Sequence, residues 1–177
     1  MIRKLFPEVP HIRGRHIVLK GLTGADAPAL HEFVDDPRIY RYLPTFLFEK
    51  KYPDVHTVIG RLYTECLEDS LILGVFDEEG FGGLAEFYGY RADFKKISLG
   101  CRFAERCWGR GTGTETISLM LDYLRENTDI DIVTASTMME NIAPGRVLLK
   151  NGFSLVAHAV EEDWGFEKPA IVNKWIL

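Results

Sequence analysis

Apolar residues along the chain fall into two spacings, and each change of spacing marks an element boundary. "HIVLKGL", His16 to Leu22, reads as a strand. Thr23 and Asp26 form a cap-like pair before a helix carrying Ala27, Leu30, Phe33 and Val34, which stops at "DDP". "RIYRYLPTFLFEKKYP" is aromatic and broken by prolines, so it reads as a loop. After Pro53, the residues Val55, Val58, Ile59, Leu62, Tyr63 and Cys66 recur on one helical face. A strand meander follows, from "SLILGVF" through the turn "DEEG" into "FGGLAEFYGY" and then "FKKISLGCRF".

The second half returns to helical spacing after "WGRGTG", with Ile117, Met120, Leu121 and Leu124 on one side. "IDIVTASTM" reads as a buried strand, and "NIAPGRVLLKNGF" as a loop that becomes a helix from about Pro144 and ends at Gly152. "SLVAHAV" and "AIVNKWIL" close the chain as strands around "EEDWGFEKP", the last of them free to pair across a dimer interface. The pattern predicts a mixed α/β (α+β) sheet with helices on both faces, formed as one domain over residues 1–177.

Composition changes this picture little. The formal net charge is −5, without a basic stripe, which argues against nucleic-acid binding and is compatible with a cationic ligand. Cys66, Cys101 and Cys107 form no metal-binding spacing with one another or with the scattered histidines, so no metal is expected. The N-terminal stretch lacks the apolar core of a signal peptide and no run approaches a membrane span. The expectation is a cytoplasmic protein with no membrane partner.

The chemistry concentrates at Gly109, Gly111 and Gly113, between a strand and a helix. A helix start exposes unpaired N–H groups and partial positive charge, and glycines let an anion approach them. Arg110 adds a charge-assisted contact. Thr114 stands where a dinucleotide fingerprint needs glycine, and no lysine follows as a Walker loop requires. Thr112 and Glu115 also have the spacing of a capping box, so the motif has a purely structural reading as well.

Two motifs in this order resemble the GNAT (Gcn5-related) N-acetyltransferase family, in its RimJ/RimL-like subgroup. The first is "WGRGTG", Trp108 to Gly113; the second comprises Asn141, Lys150, Gly152 and Phe153, with "RVL" at Arg146 to Leu148. The resemblance is clearest over residues 14–177 and includes the opening "RHIVLKGLTGADAPAL". It implies a mostly antiparallel sheet of about six to seven strands, splayed between strands 4 and 5 ("FKKISLGCRF" and "IDIVTASTM").

It also implies transfer of acetyl from acetyl-CoA directly to a primary amine, a peptide N-terminus or a small amine. Backbone amides of Trp108, Gly109, Arg110, Gly111, Thr112, Gly113 and Thr114 would hold the pyrophosphate. Backbone near Cys101 and Phe103 would pair with the pantetheine arm, Asn141 would hydrogen-bond it, and the Cys101 amide would polarise the acetyl carbonyl. The oligomer is left as monomer or homodimer.

The family's proton-handling residues are less easily matched. A glutamate used by some relatives falls at about Ile97, a tyrosine at Leu148 and a serine at Pro144. Glu86, Ser136, and Glu162 or Asp163 are the remaining candidates. Strand alternation points Glu86 either into the cleft or out to solvent, with solvent the default. Glu162 and Asp163 have the default of a solvated turn. Tyr42, Phe46, Phe48, Trp164 and Phe166 would wall the acceptor pocket, or serve as packing. A non-catalytic acyl-CoA-binding protein and a nucleotide binder are the competing readings.

Overall fold

A computed structural model of the chain describes residues 4–65, 67 and 69–177. The helical-face position Cys66 and the first three residues of the N-terminal stretch lie outside them. Among the described residues, eight strands form one sheet: β1 (Ile12–Arg13), β2 (Val18–Lys20), β3 (Leu71–Asp77), β4 (Gly80–Arg91), β5 (Lys96–Phe103), β6 (Ile132–Met138), β7 (Ser154–Glu162) and β8 (Ala170–Ile176). Their order is β1-β2-β3-β4-β5-β6-β8-β7. Every pairing is antiparallel except β5–β6. The strand beyond the expected six to seven is β1, too short to leave an alternation in the sequence.

Among the described residues, five α-helices accompany the sheet: α1 (Ala27–Val34), α2 (Pro37–Tyr40), α3 (Val55–Glu65), α4 (Thr112–Asn127) and α5 (Ile142–Lys150). The aromatic segment expected as loop therefore contains α2 and a 3-10 turn at Phe48–Lys50. Asp36 makes the short helix possible by accepting from the Arg38 amide at 3.0 Å. Helix α5 begins at Ile142, two residues before the expected Pro144, because proline is tolerated throughout a helix's first turn, where no amide bond is lost.

Period-two alternation divides the sheet between two cores. Leu71, Leu73, Phe87, Ile97, Leu99, Val133 and Trp175 pack under Ile117, Met120, Leu121 and Leu124 of α4 and Leu148 of α5. The opposite face puts Ile72 and Leu84 against Leu30 and Phe33 of α1 and Val58 and Leu62 of α3. Helices thus cover both faces, as the pattern predicts. The final strand β8 lies between β6 and β7 and so is not free to pair across a dimer interface; β7 is the edge.

The parallel pair is the point of interest. β5 and β6 share only three rungs, Lys96↔Ile132, Ile97↔Val133 and Ser98↔Thr134. Ser98 Oγ and Thr134 Oγ1 meet at 2.7 Å across the last of them. Beyond it β5 stays with β4, through Cys101↔Ala85 and Phe103↔Gly83, while β6 follows β8 as far as Met138↔Val172. The sheet opens there into a V.

Candidate functional site

The V exposes backbone in a defined pattern. Successive strand residues present their N–H and C=O to opposite neighbours. The Lys95 carbonyl accepts from the Ile132 amide at 3.1 Å, toward β6. The same side is therefore faced by the backbone of Ile97, Leu99, Cys101 and Phe103. Past Ser98 the neighbour has turned away, which leaves Cys101 presenting its amide to the opening. The Phe103 carbonyl is taken by the Trp108 indole N–H at 2.9 Å, leaving its amide as the group free for a ligand. Burial pushes the Cys101 thiol up to about 12, so it stays protonated at neutral pH and the amide, not the sulfur, is its useful group.

The glycine segment closes the mouth of the V. Gly109 and Gly111 have φ of 69° and 80°, in the left-handed region, with open space beside both. Gly111 caps α4, and the first intrahelical bond runs from the Glu115 amide to its carbonyl at 3.0 Å. The amides of Thr112, Gly113 and Thr114 precede that bond and have no acceptor in the helix. Gly113 has a different reason to be glycine: a Cβ there would sit 3.3 Å from Val147 Cγ2 and 3.4 Å from Phe103 Cε2.

The capping-box reading is corrected. Thr112 is already helical, and the Glu115 carboxylate accepts instead from the His16 amide at 2.8 Å and meets its ring at 3.1 Å. Arg106 anchors the approach to the cradle, donating to Asp77 at 2.7 Å and to the Phe81 carbonyl at 2.8 Å. Arg110 projects outward toward Glu79 at 3.7 Å, and Trp108 is half exposed. A cleft of about 580 Å³ adjoins the cradle, lined by Arg15, His16, Gly111, Thr114, Ser118 and Lys150 among others. Asn141 caps α5 just past the end of β6, its amide donating to the Met138 carbonyl at 2.9 Å.

On the other face of the V the side chains are polar and buried. Glu86 does not face solvent as its default reading had it; its carboxylate takes the Arg102 guanidinium at 2.7 Å. The same guanidinium forks onto Glu49 at 2.5 and 2.6 Å, and Arg102 and Glu49 side chains are 4% and 3% exposed. Burial alone would lower the Arg102 pKa, but the two carboxylates outweigh it and raise it. Tyr40 donates to Glu49 at 3.1 Å. This ties the aromatic segment to β5.

The far half-sheet carries a second cluster. Lys174 donates to Ser136 Oγ at 3.0 Å and pairs with Glu162, which also accepts from the Trp164 indole at 3.1 Å. Glu162 is thus a paired residue at the end of β7 and not a solvated turn residue, whereas Asp163 does shape the turn, accepting from the Gly165 amide at 2.9 Å. Trp164 is buried against Ala170 and Val172, while Phe46 and Phe166 are exposed. The two walls meet where the Thr45 amide donates to the Trp164 carbonyl at 2.8 Å. Ile97 and Leu148, which the resemblance matched to a glutamate and a tyrosine of some family members, belong to the core.

The sequence reading missed Glu49, Arg102, Tyr88 and Lys174. For Arg102 a signal existed: it is the lone charge inside the otherwise uncharged run "ISLGCRF".

A family model described as "Acetyltransferase (GNAT) domain" matches residues 16–154. The chain belongs to the GNAT family. Solved structures agree on the GNAT fold. A GNAT-family acetyltransferase from Bacillus anthracis superposes with a TM-score of 0.80 at 16% identity, over 95% of this chain and 98% of that one. An acetyltransferase from Salmonella typhimurium that modifies the N-terminal serine of ribosomal protein L7/L12 gives 0.79 at 16%, over 95% and 98%. The microcin C7 self-immunity acetyltransferase MccE, in complex with acetyl-CoA and AMP, gives 0.80 at 16%, over 93% of each chain. Among the described residues of this GNAT domain, no helix is long and apolar enough to cross a membrane, and no three His, Cys, Asp or Glu side chains group as a metal site would need.

Proposed function

We propose that this protein is an acetyl-CoA-dependent N-acetyltransferase of the RimJ/RimL-like subgroup, acting on a primary amine in a ternary complex in the cytoplasm. The observation that carries the reading is the V between β5 and β6, with helix-start amides at its mouth and the Cys101 amide within. Amides from Gly109 to Thr114 hold the pyrophosphate, and Arg15 and Lys150 in the adjoining cleft meet the nucleotide end. Asn141 and backbone near Cys101 and Phe103 hold the pantetheine arm.

An alkyl amine with a pKa of about 10.4 costs about 4.6 kcal/mol to present neutral at pH 7. Glu86, held by Arg102 on the acceptor side, is the base that takes the proton lost on attack, directly or through water. The Cys101 amide stabilises charge developing on the acetyl oxygen, a contribution of about 3–4 kcal/mol for a well-placed donor. Ser136 is held by Lys174 on the opposite wall and positions the acceptor.

The test is thermal unfolding with and without acetyl-CoA, for wild type and Gly111→Asp. Asp enters the left-handed region more readily than most side chains and has open space there, so the variant carries some strain, its own melting temperature without ligand is the baseline, and its carboxylate repels the pyrophosphate. At about a hundred times its dissociation constant the ligand adds about 2.7 kcal/mol, a melting shift of roughly 5–10 °C. A wild-type shift absent from the variant supports the cradle, and turnover on a panel of N-terminal peptides and polyamines then identifies the acceptor class. A well-folded wild type that does not shift refutes the reading.

A further inference from the structure

Tyr88 is a tyrosine that the family resemblance gives no role. It lies on β4 opposite Ser98, the last rung before the sheet opens, and on the face that carries Glu86 and Arg102. Its ring does not stay over that rung. A Cβ built on Gly100, two residues further along β5, would lie 3.5 Å from Tyr88 Cε1. The ring therefore crosses β5 where that strand has no side chain, leaning toward the opening of the V. Gly100 immediately precedes Cys101, whose amide faces the same opening.

The hydroxyl has no hydrogen-bond partner among the described residues, yet no buried side-chain oxygen there is left unpartnered, so it reaches accessible space. Glu86 follows two residues away on the same face of β4, opposite Gly100, and the charges of Glu86 and of Glu162 from the far half-sheet both act on the phenol. The phenol ring thus lies over Gly100, beside the peptide whose Cys101 amide faces the opening.

We propose that Tyr88 is a catalytic residue that donates a hydrogen bond to the acetyl carbonyl oxygen, as a second donor beside the Cys101 amide. The inference rests on the acetyltransferase reading above. The amine nitrogen attacks the carbonyl carbon, the C=O pair moves onto oxygen, and the two donors hold that oxyanion. Collapse re-forms C=O and breaks the C–S bond, releasing the CoA thiolate, while the ammonium proton goes to Glu86 or water. Tyr88 keeps its own proton throughout. Burial, then the nearby Glu86 and Glu162 charges, push the phenol up to about 12, so it stays protonated at neutral pH and donates without losing its proton.

The experiment uses acetyl-CoA carrying carbonyl carbon-13, bound to wild type and to Tyr88→Phe, with the carbonyl stretch read by infrared difference spectroscopy. It needs no acceptor. Wild type should lower the carbonyl frequency relative to free acetyl-CoA, and Tyr88→Phe should recover part of the shift while binding acetyl-CoA within threefold of wild type. With the most active amine of the panel, kcat should fall about 10²–10³-fold, with KM for acetyl-CoA unchanged. The substitution removes one oxygen that bonds nothing in the protein, so folding is preserved. A carbonyl frequency identical in the two proteins would overturn the proposal, as would kcat within threefold of wild type or a loss confined to KM. A wild type that binds acetyl-CoA without a carbonyl shift overturns it alone; one that fails to bind acetyl-CoA overturns the acetyltransferase reading as well.

Discussion

Arg102→Met tests whether the buried charges on the acceptor side hold the site together. The guanidinium bonds Glu49 twice and Glu86 once, and Arg102 and Glu49 are almost wholly withdrawn from water. Methionine fills similar volume but, among the described residues, leaves the Glu49 charge with the Tyr40 hydroxyl as its sole side-chain donor. Removing one partner of a buried ion pair costs about 3–5 kcal/mol, because the remaining charge is stranded. For a chain of this size, 1 kcal/mol moves the melting temperature by roughly 2–4 °C, so a loss of about 10 °C is expected. Urea unfolding at pH 7, wild type against variant, measures the deficit. A deficit under about 1 kcal/mol would refute the reasoning.

Three further outcomes follow from the same geometry. Glu86→Gln keeps the shape of the acceptor side but removes the proposed base, so kcat should fall about 10²–10⁴-fold while calorimetric binding of acetyl-CoA is unchanged. Burial raises the Glu115 carboxyl, but donation from the His16 amide and ring outweighs it and holds the pKa below the ordinary value, so its stabilisation is present above about pH 4.3 and lost as pH falls through the folded-state pKa. Glu115→Gln should therefore be less stable than wild type at pH 7, with the two curves converging in acid. A peptide α-amine, with a pKa near about 7.8, is neutral far more often at pH 7 than an alkyl amine near about 10.4; kcat/KM should level off near pH 8 for the first and keep rising roughly tenfold per unit for the second, and coincident profiles would place deprotonation after binding.

The elements that the chain order alone determines were legible, and their ends were not. Helix α4 and strand β5 follow from apolar spacing and from glycines at the junction. The capping box failed for a non-local reason. Thr112 and Glu115 have the right separation, but His16, distant in sequence, offers the carboxylate an amide and a ring together. The start of α5 failed for a local one, since Pro144 fits the third helical position as readily as the first. Neither competition leaves a trace in a window of ten residues.

The two halves of the candidate site differ in legibility because they are built from different material. The proposed cofactor half is backbone: amides made accessible by Gly109 and Gly111, and by a neighbour strand that turns away after Ser98. Backbone can be exposed in this way through few residue types, so the sequence must show glycine there. The acceptor half is side chains brought together by register. Arg102 meets Glu86 because Leu84 and Arg102 are paired on β4 and β5, and meets Glu49 because a 3-10 turn packs down onto the sheet. Tyr88 reaches the V because Gly100 leaves its path clear. Each of these residues alone is an ordinary strand or loop residue. Their chemistry comes from mutual burial, where a carboxylate beside a guanidinium and a phenol with a raised pKa behave unlike their exposed counterparts. On the proposed reading the acceptor meets that half, where Glu49, Glu86 and Glu162 against Arg102 and Lys174 leave one net negative charge, which favours an ammonium group over an acidic one.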